Sequence, residues 1–160
     1  MEDPGLLLPV LLCRYHKDDL VVIGFGNLYR SDDGFGIGLA ETLKQKAGLA
    51  AFTETDLDEV VLGLCGETAK KLVLFVDAAD FGGKEGEMKM FCTEELQDQE
   101  QSSHKIPLKL YMKLLEKSGH KTYLIALQPQ NLEEVEEPVM SPKAEKAMKK
   151  LLEIMERGLN

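Results

Sequence analysis

The sequence predicts an α/β protein, a three-layer α/β/α sandwich with a mostly parallel central sheet and one antiparallel strand. Three observations carry that reading. Short apolar runs alternate with stretches whose apolar residues recur at helical spacing. Residues 72–76 (LVLFV) are continuously apolar, as a central strand covered on both faces requires. Residues 20–23 (LVVI) are apolar and rich in β-branched side chains, and they run through Gly24 and Gly26 into a helical stripe.

Composition narrows the class of protein. A chain of 160 residues fits one domain spanning 1–160 and can bury a sizeable core. Hydrophobic residues at 44% and charged residues at 29% are ordinary for a soluble globular protein. A net charge of −9 argues against nucleic acid or an anionic membrane as the main partner. Cys13, Cys65 and Cys92 are odd in number, widely spaced and without a CxxC pair. They read as reduced thiols of a cytoplasmic protein.

In chain order, residues 1–19 form an extension that reads as an added edge strand or a packing arm. Its apolar stretch, GLLLPVLLC, is broken by Pro9 and preceded by Glu2 and Asp3, unlike a signal peptide. It is also far shorter than the roughly 20 residues of a membrane span. His16 follows in polar surroundings and reads as a solvated loop residue. After the strand at 20–23, Ile37, Leu39, Ala40 and Leu43 mark the first amphipathic helix. A short second strand is expected at 50–54, then a helix from Leu57 through Cys65 to about Lys70.

The apolar run at 72–76 ends in Asp77. Glycines 82, 83 and 86 mark a reversal, and 87–92 reads as a returning, antiparallel strand. The polar stretch 93–103 is a surface loop by composition, and eleven residues reach about 35 Å when extended. His104 closes it, ahead of a helix with Pro107 in its first turn and Leu108, Tyr111, Leu114 and Leu115 on one side. His120 opens the last strand, 122–127, and reads as exposed. Residues 133–138 (EEVEEP) are a solvated acidic connection. Ser141 and Pro142 start a closing helix striped by Ala144, Ala147, Met148, Leu151, Leu152 and Met155.

The chemistry centres on residues 24–34. Asp32 and Asp33 arrive where a strand's carboxyl end meets the next helix, the edge at which open α/β sheets bind ligands. A dinucleotide fingerprint needs G-x-G-x-x-G, and here the third glycine is missing. Two carboxylates at a helix N-terminus would also repel a phosphate. A cation suits the loop better than an anion, and one Asp of the pair reads simply as a helix cap. Asp77 alone reads equally as a turn former. Parallel pairing of the strands at 20–23 and 72–76 would bring Asp33 and Asp77 out at one edge.

The stretch GFGNLYRSDDGFG resembles the opening motif of the nickel–iron hydrogenase maturation endopeptidases, G-x-G-N, four residues, then D-D-G-x-G. LVLFVDAADFGGKEGEM at 72–88 and SSHKIPL at 102–108 are similar to later segments of the same family, in order. Two departures stand out: the extension at 1–19, and the turn TETDLDE at 53–59, which lacks the family's glycines. The resemblance implies that Asp33, Asp77 and His104 are the catalytic and metal-binding set, with nickel as the metal and Asp32 a cap or a supporting group. It implies an aspartic-type endopeptidase that removes a C-terminal extension from the hydrogenase large-subunit precursor after nickel insertion, with the nickel supplied by that substrate. Zinc or cadmium would fit the same mixed oxygen and nitrogen site in vitro. A monomer in the cytoplasm, without nucleic acid or membrane partner, completes the expectation. The competing readings are a nucleotide- or small-anion-binding α/β module and a catalytically idle homologue acting as a binding partner. Neither G-x-S-x-G nor H-E-x-x-H occurs. The remaining routes to cleavage are a metal-polarised carbonyl, a metal-activated water and a carboxylate general base.

Overall fold

Strands β1 (Leu20–Gly24), β2 (Ala50–Thr53), β3 (Leu72–Ala78), β4 (Met88–Phe91) and β5 (Lys121–Leu127) form one sheet in the order β2-β1-β3-β5-β4. The computed structural model describes residues 1–96 and 107–159. β1 pairs in parallel with both β2 and β3, β3 in parallel with β5, and β4 runs antiparallel to β5. The expected mostly parallel sheet with one antiparallel strand is therefore the observed one.

Alternate residues of the central strands feed two cores. Leu20, Val22, Leu72, Leu74 and Val76 pack with helices α1 (Pro4–Leu12), α2 (Phe35–Ala47) and α5 (Pro142–Gly158) on one face. Val21, Ile23, Val73 and Phe75 pack with α3 (Leu57–Cys65) and α4 (Leu108–Lys117) on the other. Two covered faces and a side-chain period of two explain why the strands read as unbroken apolar runs.

Two glycines allow α2 to lie on the strand ends. A Cβ on Gly24 would sit 2.0 Å from the Gly36 carbonyl oxygen, and one on Gly36 would sit 2.2 Å from that of Val76. The first turn of α2 is thus docked across the carboxyl ends of β1 and β3. Only residues without side chains permit that approach.

The N-terminal extension is a packing arm that also covers an edge. Asp3 caps α1 by accepting from the Gly5 N–H at 2.7 Å, Pro4 opens the helix, and Leu8, Leu11 and Leu12 are buried. Just before it, Glu2 exchanges two backbone hydrogen bonds with Met90, 2.9 and 2.7 Å, on the outer side of β4. That occupies part of an otherwise open strand edge.

Four details differ from the sequence reading. α3 stops at Cys65, where Gly66 caps it, short of Lys70. On α4 the buried residues are Leu108, Met112 and Leu115, whereas Leu114 is exposed, because the i, i+4, i+7 stripe starting at Leu108 selects Met112. Asp77 lies inside β3, opposite Ala126, and does not follow the strand. His120 is buried.

His120 shows how a polar neighbourhood in sequence can conceal a structural role. Its Nδ1 accepts the Lys71 N–H at 3.1 Å, so the ring proton resides on Nε2, which donates to the Leu64 carbonyl at 2.6 Å. It ties the last turn of α3 to the amino end of the sheet. His120→Ala leaves the Lys71 N–H without its acceptor and the Leu64 carbonyl with the Glu67 N–H, so a loss of about 1–3 kcal/mol is expected in urea unfolding. His120 lies at the sheet end opposite Asp33 and Asp77, so any catalytic defect of this variant should track its folded fraction.

Candidate functional site

The site is built on the loop joining β1 to α2. The Phe25 N–H donates to the Val76 carbonyl at 2.9 Å, extending the β1–β3 pairing past the strand. Gly26 follows at φ +135°, where a Cβ would lie 1.8 Å from the Asp33 carbonyl oxygen. Residues 27–30 turn tightly: the Tyr29 N–H donates to Asn27 Oδ1 at 2.9 Å and the Arg30 N–H to the Asn27 carbonyl at 3.1 Å. Ser31 (φ 50°) then enters a short 3₁₀ turn, Ser31–Gly34, that leads into α2. Asp33 closes the loop, since its N–H donates to the Arg30 carbonyl and its own carbonyl accepts from Asn27, both at 3.1 Å.

Asp33 and Asp77 are both fully buried, at 0% and 1% exposure. Each sits at the carboxyl edge of the sheet. Asp33 lies two residues before Phe35, the first residue of α2, and Asp77 follows Val76, the residue on which Gly36 of α2 rests. Arg30 is a charged neighbour of Asp33, with Nη1 3.9 Å from Oδ2. His104, the third expected residue, lies outside the described residues. Among the described residues no group of three His, Cys, Asp or Glu side chains is arranged to hold a metal ion.

Of the two roles expected for Asp32, helix cap or supporting group, the structure shows the second. The N-cap of α2 is Gly34, and no side chain caps it. Asp32 Oδ2 instead accepts from Gln130 N (2.8 Å), Asn131 N (3.1 Å) and Ser141 Oγ (2.8 Å), and Oδ1 accepts from Ser141 N (2.7 Å). A carboxylate gathering three backbone N–H groups and a hydroxyl is a strong anchor. It fixes the acidic strap between β5 and α5 to the site loop. Ser141, meanwhile, caps α5 by accepting from Ala144 N at 3.3 Å. The adjacent carboxylates therefore divide: Asp32 builds the loop, and Asp33 lies beside the Arg30 guanidinium.

Sequence reasoning did not find two other residues here. Glu54, in the glycine-free turn after β2, accepts the Gly26 N–H through Oε1 at 3.1 Å, bracing the loop opposite Asp32. Arg30 is the other, inside the motif but not marked by spacing or pattern. Nearby, the Gly82 N–H and then the Gln128 amide hold the exposed Asp80 carboxyl below the usual range. Burial, followed by contact with Glu94, pushes the Cys92 thiol up, the wrong direction for a nucleophilic thiolate.

Comparison with known proteins converges. A family model described as hydrogenase maturation protease matches residues 56–157. A Methanocaldococcus jannaschii protein that carries the provisional name hydrogenase maturation protease is 31% identical over 149 residues, covering 87% of this chain and 95% of that protein. The crystal structure of a nickel–iron hydrogenase maturation protease, HycI, from Thermococcus kodakarensis superposes with a TM-score of 0.72 at 28% identity, over 94% of this chain and 98% of that one. The solution structure of the endopeptidase HycI from Escherichia coli shares the fold, with a TM-score of 0.65 at 20% identity over 84% and 86%. No helix among the described residues is long and apolar enough to cross a membrane.

Proposed function

The chain belongs to the hydrogenase maturation protease family, and from that premise we propose that it is the endopeptidase that trims the C-terminal extension of a nickel–iron hydrogenase large-subunit precursor after nickel insertion. The observation that carries the reading is the delivery of two buried carboxylates, Asp33 and Asp77, to one edge of the sheet. Buried carboxylates call for positive charge. Two carboxylates with one imidazole are a donor set that suits nickel, and equally zinc or cadmium in vitro.

In this reading Asp33, Asp77 and His104 hold the nickel that the precursor brings, so the metal is part of the substrate. Asp33 is fixed by backbone hydrogen bonds at both its N–H and its carbonyl, and Asp77 by the β3–β5 pairing. The backbone that carries each carboxylate is thereby held in place before the precursor arrives, which lowers the cost of binding. The nickel would supply recognition and polarise the scissile carbonyl. A carboxylate of the site would be placed to take a proton from the attacking water. The net charge of −9 and the reduced cysteines support a cytoplasmic monomer whose partner is the precursor.

Incubation of the purified protein with a nickel-loaded large-subunit precursor tests this. The expected result is loss of one short C-terminal peptide from the precursor, read by intact mass. An unchanged mass with folded, active-concentration protein would overturn the assignment.

A further inference from the structure

Asp33 is buried, yet the guanidinium beside it reaches solvent: the Arg30 side chain is 37% exposed and that of Asp33 1%. The Nη1–Oδ2 separation of 3.9 Å is an ion-pair distance and too long for a hydrogen bond. The attraction is therefore one of charge, without a directional bond to break. Meanwhile the Arg30 backbone is anchored, its N–H to Asn27 and its carbonyl to the Asp33 N–H. The guanidinium can swing outward while the loop and Asp33 stay in place. Asp32 does not compete for it, because both Asp32 oxygens are engaged with Gln130, Asn131 and Ser141.

We propose that Arg30 is a built-in counter-cation for Asp33 that discourages the free protein from taking up a divalent metal, so that metal is held firmly only when the precursor presents it. The inference rests on the reading of Asp33 as a nickel donor. An arginine suits the task because its charge persists at every physiological pH. A free divalent cation approaching Asp33 meets the repulsion of the guanidinium and must displace it. A precursor brings its metal with many further contacts, and these offset that cost. Arg30 acts through Asp33, and so is a positioning residue.

Calorimetric titration of nickel(II) into the isolated full-length protein tests the idea, with wild type, Arg30→Gln, Arg30→Lys and the double variant Arg30→Gln/Asp33→Asn compared. Far-UV circular dichroism confirms that each is folded. Arg30→Gln should bind nickel about two- to fivefold more tightly than wild type, the effect of removing one partly exposed opposing charge. Arg30→Lys, which keeps the charge, should stay near wild type, and Asp33→Asn should erase the gain. A merely structural arginine would give the opposite sign, since loosening the loop weakens a site. Nickel affinity in Arg30→Gln equal to or below that of wild type overturns the inference while leaving Asp33 as a donor. No binding to any variant, together with full precursor processing by Asp33→Asn, overturns the donor reading and the inference with it.

Discussion

Asp33→Asn and Asp77→Asn are each expected to abolish precursor processing while leaving the protein folded. The loss should be about a hundred- to ten-thousandfold in rate, the range associated with removing a group that handles charge or protons in the reaction. Both residues are buried, and an amide of the same shape keeps their packing while giving up charge interactions such as that of Asp33 with Arg30, so stability should fall without unfolding the protein. Rates from intact-mass time courses, set beside urea midpoints, separate the two quantities. His104→Ala should behave alike, as the only nitrogen donor of the proposed set. Processing within about threefold of wild type in either Asp variant would exclude that residue from a rate enhancement of this kind.

Asp32→Ala should do the reverse. Three backbone N–H groups and the Ser141 hydroxyl lose their acceptor together, and the residue is fully buried. Each buried donor left without a partner costs about 1–3 kcal/mol, reduced where water enters, so a loss of about 3–5 kcal/mol is expected. Asp32→Asn should recover little of it, since an amide NH₂ would face N–H donors. The purified folded fraction should still bind nickel. A stable Asp32→Ala protein with nickel affinity lost as completely as in Asp33→Asn would show that the roles of the neighbours are exchanged.

Much of this was legible from residue pattern. The run at 72–76 announced a strand covered on both faces, the run at 20–23 a buried one, and Gly24 and Gly26 marked the turn from strand to helix. Parallel pairing of those strands followed from the alternation of elements. What escaped depended on contacts across long sequence separations. Asp32 reads as a cap, since an Asp before a helix commonly is one, or as a supporting group whose partners the sequence does not name. Its true partners lie about a hundred residues later, and no local pattern refers to them. His120 sits in a polar stretch, KSGHK, yet is enclosed by α3 and the strand beside it through two backbone contacts. Residues 1–19 lacked a clean period because α1 buries Leu8, Leu11 and Leu12 while leaving Leu6 and Val10 exposed, with Pro9 in its middle. Arg30 sits in the loop between recognisable landmarks, and only the turn that folds it back onto Asp33 gives it meaning.

In the proposed function this protein cleaves its substrate in response to the substrate's own nickel. One measurement meets it directly: intact-mass time courses of wild-type protein with the same large-subunit precursor, once loaded with nickel and once nickel-free. The C-terminal peptide should be lost from the loaded precursor alone, and cleavage restored when nickel is inserted into the empty one. Equal rates on both forms would contradict that reading.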